Sequence, residues 1–163
     1  MSLQDTPQGE RIHIAFFGRR NAGKSSFFNA IAGQKLSLTS ETLGTTTDPV
    51  RKSMEILPLG PVLLIDTPGF DDEGELGSMR VERTKEVLRE TDIALLFLPA
   101  KDFLSAMKET QGKNICLPEG EASYQKLFQE KKIPSFLLLS QADLLSLEER
   151  RQIEQWISKE GSS

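Results

Sequence analysis

Residues 11–26 read RIHIAFFGRRNAGKSS. The apolar run Arg11–Phe17 has the length and content of a buried strand, and Gly18 stops it. Gly18-Arg19-Arg20-Asn21-Ala22-Gly23-Lys24-Ser25 is then a complete G-x-x-x-x-G-K-S pattern. Lys24–Ala32 continues as a helix, with Phe27, Phe28 and Ile31 on one face. A strand, a glycine-punctuated loop and a helix in that order make a phosphate cradle. The glycines let successive N–H groups turn inward around phosphate oxygens, and the helix N-terminus adds partial positive charge. Gly18, Asn21, Ala22, Gly23, Lys24, Ser25 and Ser26 are therefore the candidate phosphate-binding residues. Lys24 brings a point charge to the terminal phosphates, and the Ser25 hydroxyl is a candidate Mg²⁺ ligand.

Working outward, Gly33–Asp48 is polar and rich in Ser, Thr and Gly, which reads as a long loop. Val50–Ile56 and Val62–Ile65 read as strands joined through Pro58-Leu59-Gly60-Pro61. The glycine- and acid-rich stretch Gly69–Gly77 leads into a charged helix near Met79–Arg89. Ile93–Leu98 is a further buried strand, whereas Lys101–Gly120 carries no clear periodicity. Tyr124, Leu127 and Phe128 suggest a short helix before the strand Ser135–Leu139. Ser146-Leu147-Glu148-Glu149 is a capping box, opening a helix with Ile153, Trp156 and Ile157 on its buried side. Strands alternating with helices imply an α/β fold: a mostly parallel sheet with helices on both faces, ligands binding beyond the carboxyl ends of its strands.

Two further stretches fall at such places. Asp66-Thr67-Pro68-Gly69 follows the strand Val62–Ile65; an acid there can hold the Mg²⁺ hydration shell, and the Gly69 N–H can meet a terminal phosphate. In Gly44-Thr45-Thr46-Thr47-Asp48 a threonine hydroxyl can complete the Mg²⁺ shell when triphosphate is bound. Three adjacent threonines leave the ligand ambiguous, and Thr46 is the choice. The catalytic candidates are thus Lys24, Thr46, Gly69 and Asn21, and the Mg²⁺ candidates Ser25, Thr46 and Asp66.

After the strand Ser135–Leu139 comes Ser140-Gln141-Ala142-Asp143. It resembles the Asn-Lys-x-Asp of GTP-binding proteins, in which the aspartate accepts from guanine N1–H and the exocyclic amine. Only Asp143 is kept; Ser140 is shorter than asparagine, and Gln141 lacks the stem and charge of lysine. Together the motifs resemble a P-loop GTPase domain of the translation-factor-related, TrmE/Era-like group, small-GTPase-like in fold. Gly44–Val50, Met54–Val62 and Asp71–Gly77, beside the phosphate loop, further resemble the FeFe-hydrogenase maturation GTPase (HydF) family. The likeness is dense from about Glu10 to Thr84 and thin afterwards. Departures are Pro68, where that family more often has alanine, and the Ser140-Gln141 pair. The resemblance implies GTP/GDP and Mg²⁺ as ligands, with radical-SAM maturases and apo-hydrogenase as partners of a full-length scaffold that carries a diiron precursor. Its cluster ligands would lie in a C-terminal domain.

Hydrolysis needs a water aligned on the γ-phosphate. Phe70 stands just after D-x-x-G, where many GTPases place a glutamine, so intrinsic turnover is expected to be slow. Asn21 resembles the asparagine with which related GTPases bind K⁺. It reads equally as a loop residue tolerating an awkward backbone angle. Asp71, Asp72 and Glu73 could orient water or simply form a solvated acidic loop. A nucleotide-binding interaction module without hydrolysis, and an ATPase, are the alternative classes.

The 163 residues fit one domain at roughly 150 residues each. With 37% hydrophobic residues and 20 basic against 24 acidic side chains, a net charge of −4, disorder is excluded and no nucleic-acid partner is expected. No apolar run approaches the roughly 18–20 residues of a membrane helix, so a cytoplasmic protein without a membrane partner is expected. Cys116 and His13 are single, leaving no disulfide and no iron–sulfur cluster in this segment. The terminal Met1-Ser2-Leu3 and Gly161-Ser162-Ser163 read as scars of an excised domain, and a final strand and helix are expected to be missing. Oligomerisation would run through domains outside the chain.

Overall fold

The computed structural model describes residues 11–33, 49–69 and 77–160, with 77–83 by backbone alone. Among the described residues five strands form one sheet: β1 Ile12–Gly18, β2 Val50–Ile56, β3 Gly60–Asp66, β4 Ile93–Pro99 and β5 Ser135–Ser140, in the order β2-β3-β1-β4-β5. β1 runs parallel to β3 and β4, and β4 to β5, while β2 pairs antiparallel with β3. The helices are α1 Lys24–Gly33, α2 Gly77–Glu90, α3 Ala100–Glu109, α4 Glu119–Glu130 and α5 Leu147–Glu160, with a 3₁₀ turn at Ala142–Leu144. The mostly parallel α/β sheet expected from the alternation is present. Among the described residues no helix is long and apolar enough to cross a membrane.

The side-chain alternation of a strand builds the layers. On β1, Ala15 and Phe17 join Leu63, Ile65, Ala94 and Leu96 in a cluster closed by Val87 and Leu88 of α2 and Phe128 of α4. Ile14 and Phe16 point the other way, into a cluster with Val62, Leu64, Phe97 and Phe28 of α1. The near-continuous apolar reading of β1 follows from this double burial. A third cluster gathers Leu98 of β4, Phe103 and Leu104 of α3, Leu145 just before α5, and Ile153 of α5.

Three details differ from the sequence reading. The stretch 101–120 contains α3, whose Phe103, Leu104 and Ala106 are buried; its charged residues had masked that face. Phe27 is partly exposed on α1, although its ring still packs edge-on to Phe16 and Phe97 at 5.7 and 5.3 Å. Ile157 lies exposed on α5 whereas Ile153 is buried. The capping box forms as read: the Glu149 N–H donates to Ser146 Oγ at 3.2 Å and the Ser146 N–H to Glu149 Oε2 at 2.9 Å. The latter bond holds the Glu149 carboxyl below its usual value.

Candidate nucleotide site

The carboxyl ends of β1, β3 and β5 meet at one end of the sheet, and each carries one of the sequence motifs. β1 ends at Gly18, whose φ is +151° and whose missing side chain matters: a Cβ there would stand 2.8 Å from the Phe97 carbonyl oxygen. The loop then closes on itself, the Ala22 N–H donating to the Arg19 carbonyl at 3.2 Å. Asn21 is in the left-handed region at φ 62°, a conformation asparagine tolerates.

Lys24 is buried at 5% exposure. Its Nζ donates to the carbonyls of Gly18 and Arg19 at 3.0 and 2.7 Å, folding the ammonium back over the loop. Next to it, Ser25 Oγ donates to Asp66 Oδ2 at 2.8 Å, so the first turn of α1 and the end of β3 are joined. Burial pushes the Asp66 carboxyl above its ordinary value, with the Ser25 hydroxyl and the Lys24 ammonium pulling the other way. Its Oδ1 is buried and has no hydrogen-bond partner. A desolvated carboxylate oxygen without a donor, beside a serine hydroxyl and a phosphate-type loop, is a donor set that fits a hard divalent cation such as Mg²⁺.

Thr67 fixes the start of D-T-P-G by donating Oγ1 to the Phe16 carbonyl at 2.5 Å. Gly69 then passes directly over the phosphate loop; a Cβ at this position would stand 2.4 Å from Arg20 N and 2.8 Å from Arg20 Cα. Ser26 lies exposed in the first turn of α1. Thr46 and its neighbours 44–48, and Phe70 with the acids 71–73, lie outside the described residues.

At the end of β5, Ser140 Cβ would be 3.4 Å from a Cβ on Gly23, so the base motif abuts the phosphate loop. Gln141 does more than its length suggested. In the left-handed region itself at φ 57°, it reaches the Asn21 carbonyl with Nε2 at 2.6 Å. Asp143 is exposed on the 3₁₀ turn beyond it.

One strong contact escaped the sequence reading altogether. Arg19 Nε and Nη2 donate to Glu121 Oε1 and Oε2 at 2.6 and 3.1 Å, and Glu121 is fully buried. The signal available was spacing: Glu121 precedes Tyr124 and Phe128 by three and seven residues, on the inward face of α4. Which cation would meet it could not be read from one chain.

A phosphate loop between β1 and α1, an acid and a close-packed glycine at the end of β3, and an aspartate-bearing turn after β5 define a P-loop GTPase domain. Residues 13–141 match the family model described as 50S ribosome-binding GTPase, and the chain belongs to that family. Curated relatives include the tRNA modification GTPase MnmE of Cupriavidus metallidurans, 37% identical over 97 residues that cover 58% of this chain and 20% of that protein. GTPase Der of Wolinella succinogenes is 41% identical over 99 residues, covering 59% of this chain and 20% of Der. The matches thus span about a fifth of these curated relatives' length. Among solved structures, Era in complex with MgGDPNP and 16S ribosomal RNA aligns over 91% of this chain and 47% of its own, with a TM-score of 0.64 at 25% identity. Aquifex aeolicus Era bound to GDP and AlF₄⁻ shares the fold at a TM-score of 0.63 and 24% identity, over 92% and 48% of the two chains. MnmE and Era are named with RNA. The expectation of no nucleic-acid partner, drawn from the net charge of −4, is therefore not supported by these relatives.

Proposed function

We propose that this chain is a guanine-nucleotide switch that binds GTP or GDP with Mg²⁺ and hydrolyses GTP slowly. The observation that carries the reading is the joining of Lys24, Ser25 and the partnerless Asp66 oxygen at one end of the sheet. In it, main-chain groups from Gly18 to Ser26 hold the phosphates and Lys24 turns from its two carbonyls toward them. Ser25, Asp66 and Thr46 hold Mg²⁺, which when bound neutralises charge on the phosphate oxygens. Gly69 senses the terminal phosphate through its N–H, and Asp143 selects guanine. K⁺ at Asn21 supplies the fixed positive charge that an arginine finger brings in other phosphoryl-transfer sites.

The chain forms one GTPase domain, residues 1–163, of a longer scaffold. The stretches 44–50, 54–62 and 71–77 support a hydrogenase-maturation (HydF-type) scaffold, with radical-SAM maturases and apo-hydrogenase as partners. A second reading, an interaction module that binds nucleotide without useful hydrolysis, draws support from Phe70 and from a Ser140 Oγ that is buried without a partner.

Calorimetry with GTP, GDP and ATP in Mg²⁺, on the wild type and Lys24→Ala, tests the core of this. GTP and GDP should bind and ATP should not. Lys24→Ala should lose binding by a factor of 100 or more, roughly the loss of a charge-assisted pair. Equal GTP affinity in the variant would remove the phosphate-loop assignment, and binding without turnover in an extended chain would favour the interaction module.

A further inference from the structure

Arg19 is a residue with two faces. Its carbonyl accepts from Lys24 Nζ and from the Ala22 N–H, so it belongs to the interior of the phosphate loop. Its guanidinium leaves the loop and grips Glu121 of α4 through two parallel bonds, with Asp102 of α3 at 3.8 Å. The same helix is fixed to the foot of the loop by aromatic contacts: Tyr124 and Phe128 lie 5.5 and 5.0 Å from the Phe17 ring, one residue before Gly18. None of the candidate nucleotide contacts involves α4.

We propose that Arg19 and Glu121 are positioning residues that couple phosphate-loop occupancy to the α4 helix. This rests on the reading of the loop as a nucleotide site. When Lys24 leaves the Arg19 carbonyl for a phosphate, the loop's hydrogen bonding around Arg19 changes. The guanidinium cannot drift alone, because a fully buried carboxylate left without its cation is strongly unfavourable. A bidentate fork also fixes direction as well as distance. α4 therefore tightens or shifts with the loop. By reciprocity, anything that displaces α4 changes nucleotide affinity by the same factor. The exposed outer residues of this helix, among them Gln125, Lys126 and Gln129, become a surface whose state reports the nucleotide.

Hydrogen exchange on the 163-residue chain with and without GDP·Mg²⁺ tests this, since amide protection reads local opening. In the wild type, GDP should slow exchange in α4 together with the phosphate loop. The double variant Arg19→Met/Glu121→Leu removes both charges at once, and should keep GDP protection in the loop while losing it in α4. Arg19→Lys keeps the charge but not the fork, and tests the same point if the double variant fails to fold; α4 protection by GDP should fall on the order of tenfold, the scale of coupling within one ion-pair network. Wild-type protein that binds no GDP overturns the nucleotide reading and the coupling with it. GDP binding with α4 protection identical in wild type and variants overturns the coupling alone.

Discussion

The side-chain amide of Gln141 donates to the main-chain carbonyl of Asn21 at 2.6 Å, across 120 residues of sequence. It ties the turn that carries Asp143 to the loop that would carry the phosphates, so the two ends of a bound nucleotide would be held by a single connected frame. Gln141→Ala should weaken GDP and GTP alike by about fivefold, near the ~1 kcal/mol of one net hydrogen bond. Gln141→Lys, which keeps a donor on a long stem, should restore most of it. Equal affinities for wild type and Gln141→Ala by calorimetry would show the bond to be incidental.

Gly69→Ala puts a methyl where the Arg20 main chain already stands, 2.4 Å from its nitrogen. Backbone cannot step aside as a flexible side-chain end can, so the loop or the end of β3 must move. A cost of roughly 1–3 kcal/mol is expected, read as a lower melting temperature together with weaker nucleotide binding. An unchanged melt would mean that the two segments are not in contact in solution.

Burial holds the Asp66 carboxyl above its ordinary value, so the folded protein favours its protonated form. Its contribution to stability is full below the usual carboxylate value and is lost as pH rises through the raised one. Asp66→Asn escapes that loss. Without nucleotide the variant should melt higher than wild type at neutral pH, the difference closing on acidification, while Mg²⁺ ceases to strengthen its GTP binding. Wild type melting above the variant at neutral pH would contradict the sign.

Asn21 separates backbone from side chain because glycine takes its φ of 62° freely. Asn21→Gly should therefore keep nucleotide affinity and lose any stimulation of GTP hydrolysis by K⁺ over Na⁺. Rates that are equal in the two salts for wild type would dispose of the potassium site.

Asp143→Asn should move preference from guanine to xanthine, since an amide can donate to the carbonyl that replaces the guanine amine. Competition between GTP and XTP on the variant decides it; no gain for XTP would mean that this turn does not read the base.

The order of strands and helices was legible because β1, β3 and β4 are buried on both faces and write themselves as apolar runs. The phosphate loop was legible for a different reason: Gly18 and Gly23 hold backbone angles that side chains rarely adopt, and Lys24 follows them at a fixed spacing. α3 was hidden because its buried face, Phe103, Leu104 and Ala106, is interleaved with lysine and acid. Contacts between distant segments were the other gap. Gln141 looked like a defect when judged against a lysine, and only its left-handed backbone aims the amide at Asn21. Glu121 carried a burial signal in its spacing but no address for its partner.

Lys24 is already satisfied by two carbonyls before any anion arrives. Recruiting it is therefore an exchange of acceptors and not the filling of a vacancy. A singly charged, weakly basic anion offers the ammonium little that the Gly18 and Arg19 oxygens do not. A polyphosphate chain, with concentrated charge and several oxygens, can outbid them. On the proposed nucleotide reading, the folded-back lysine would set a threshold that a polyphosphate crosses and a small singly charged anion does not.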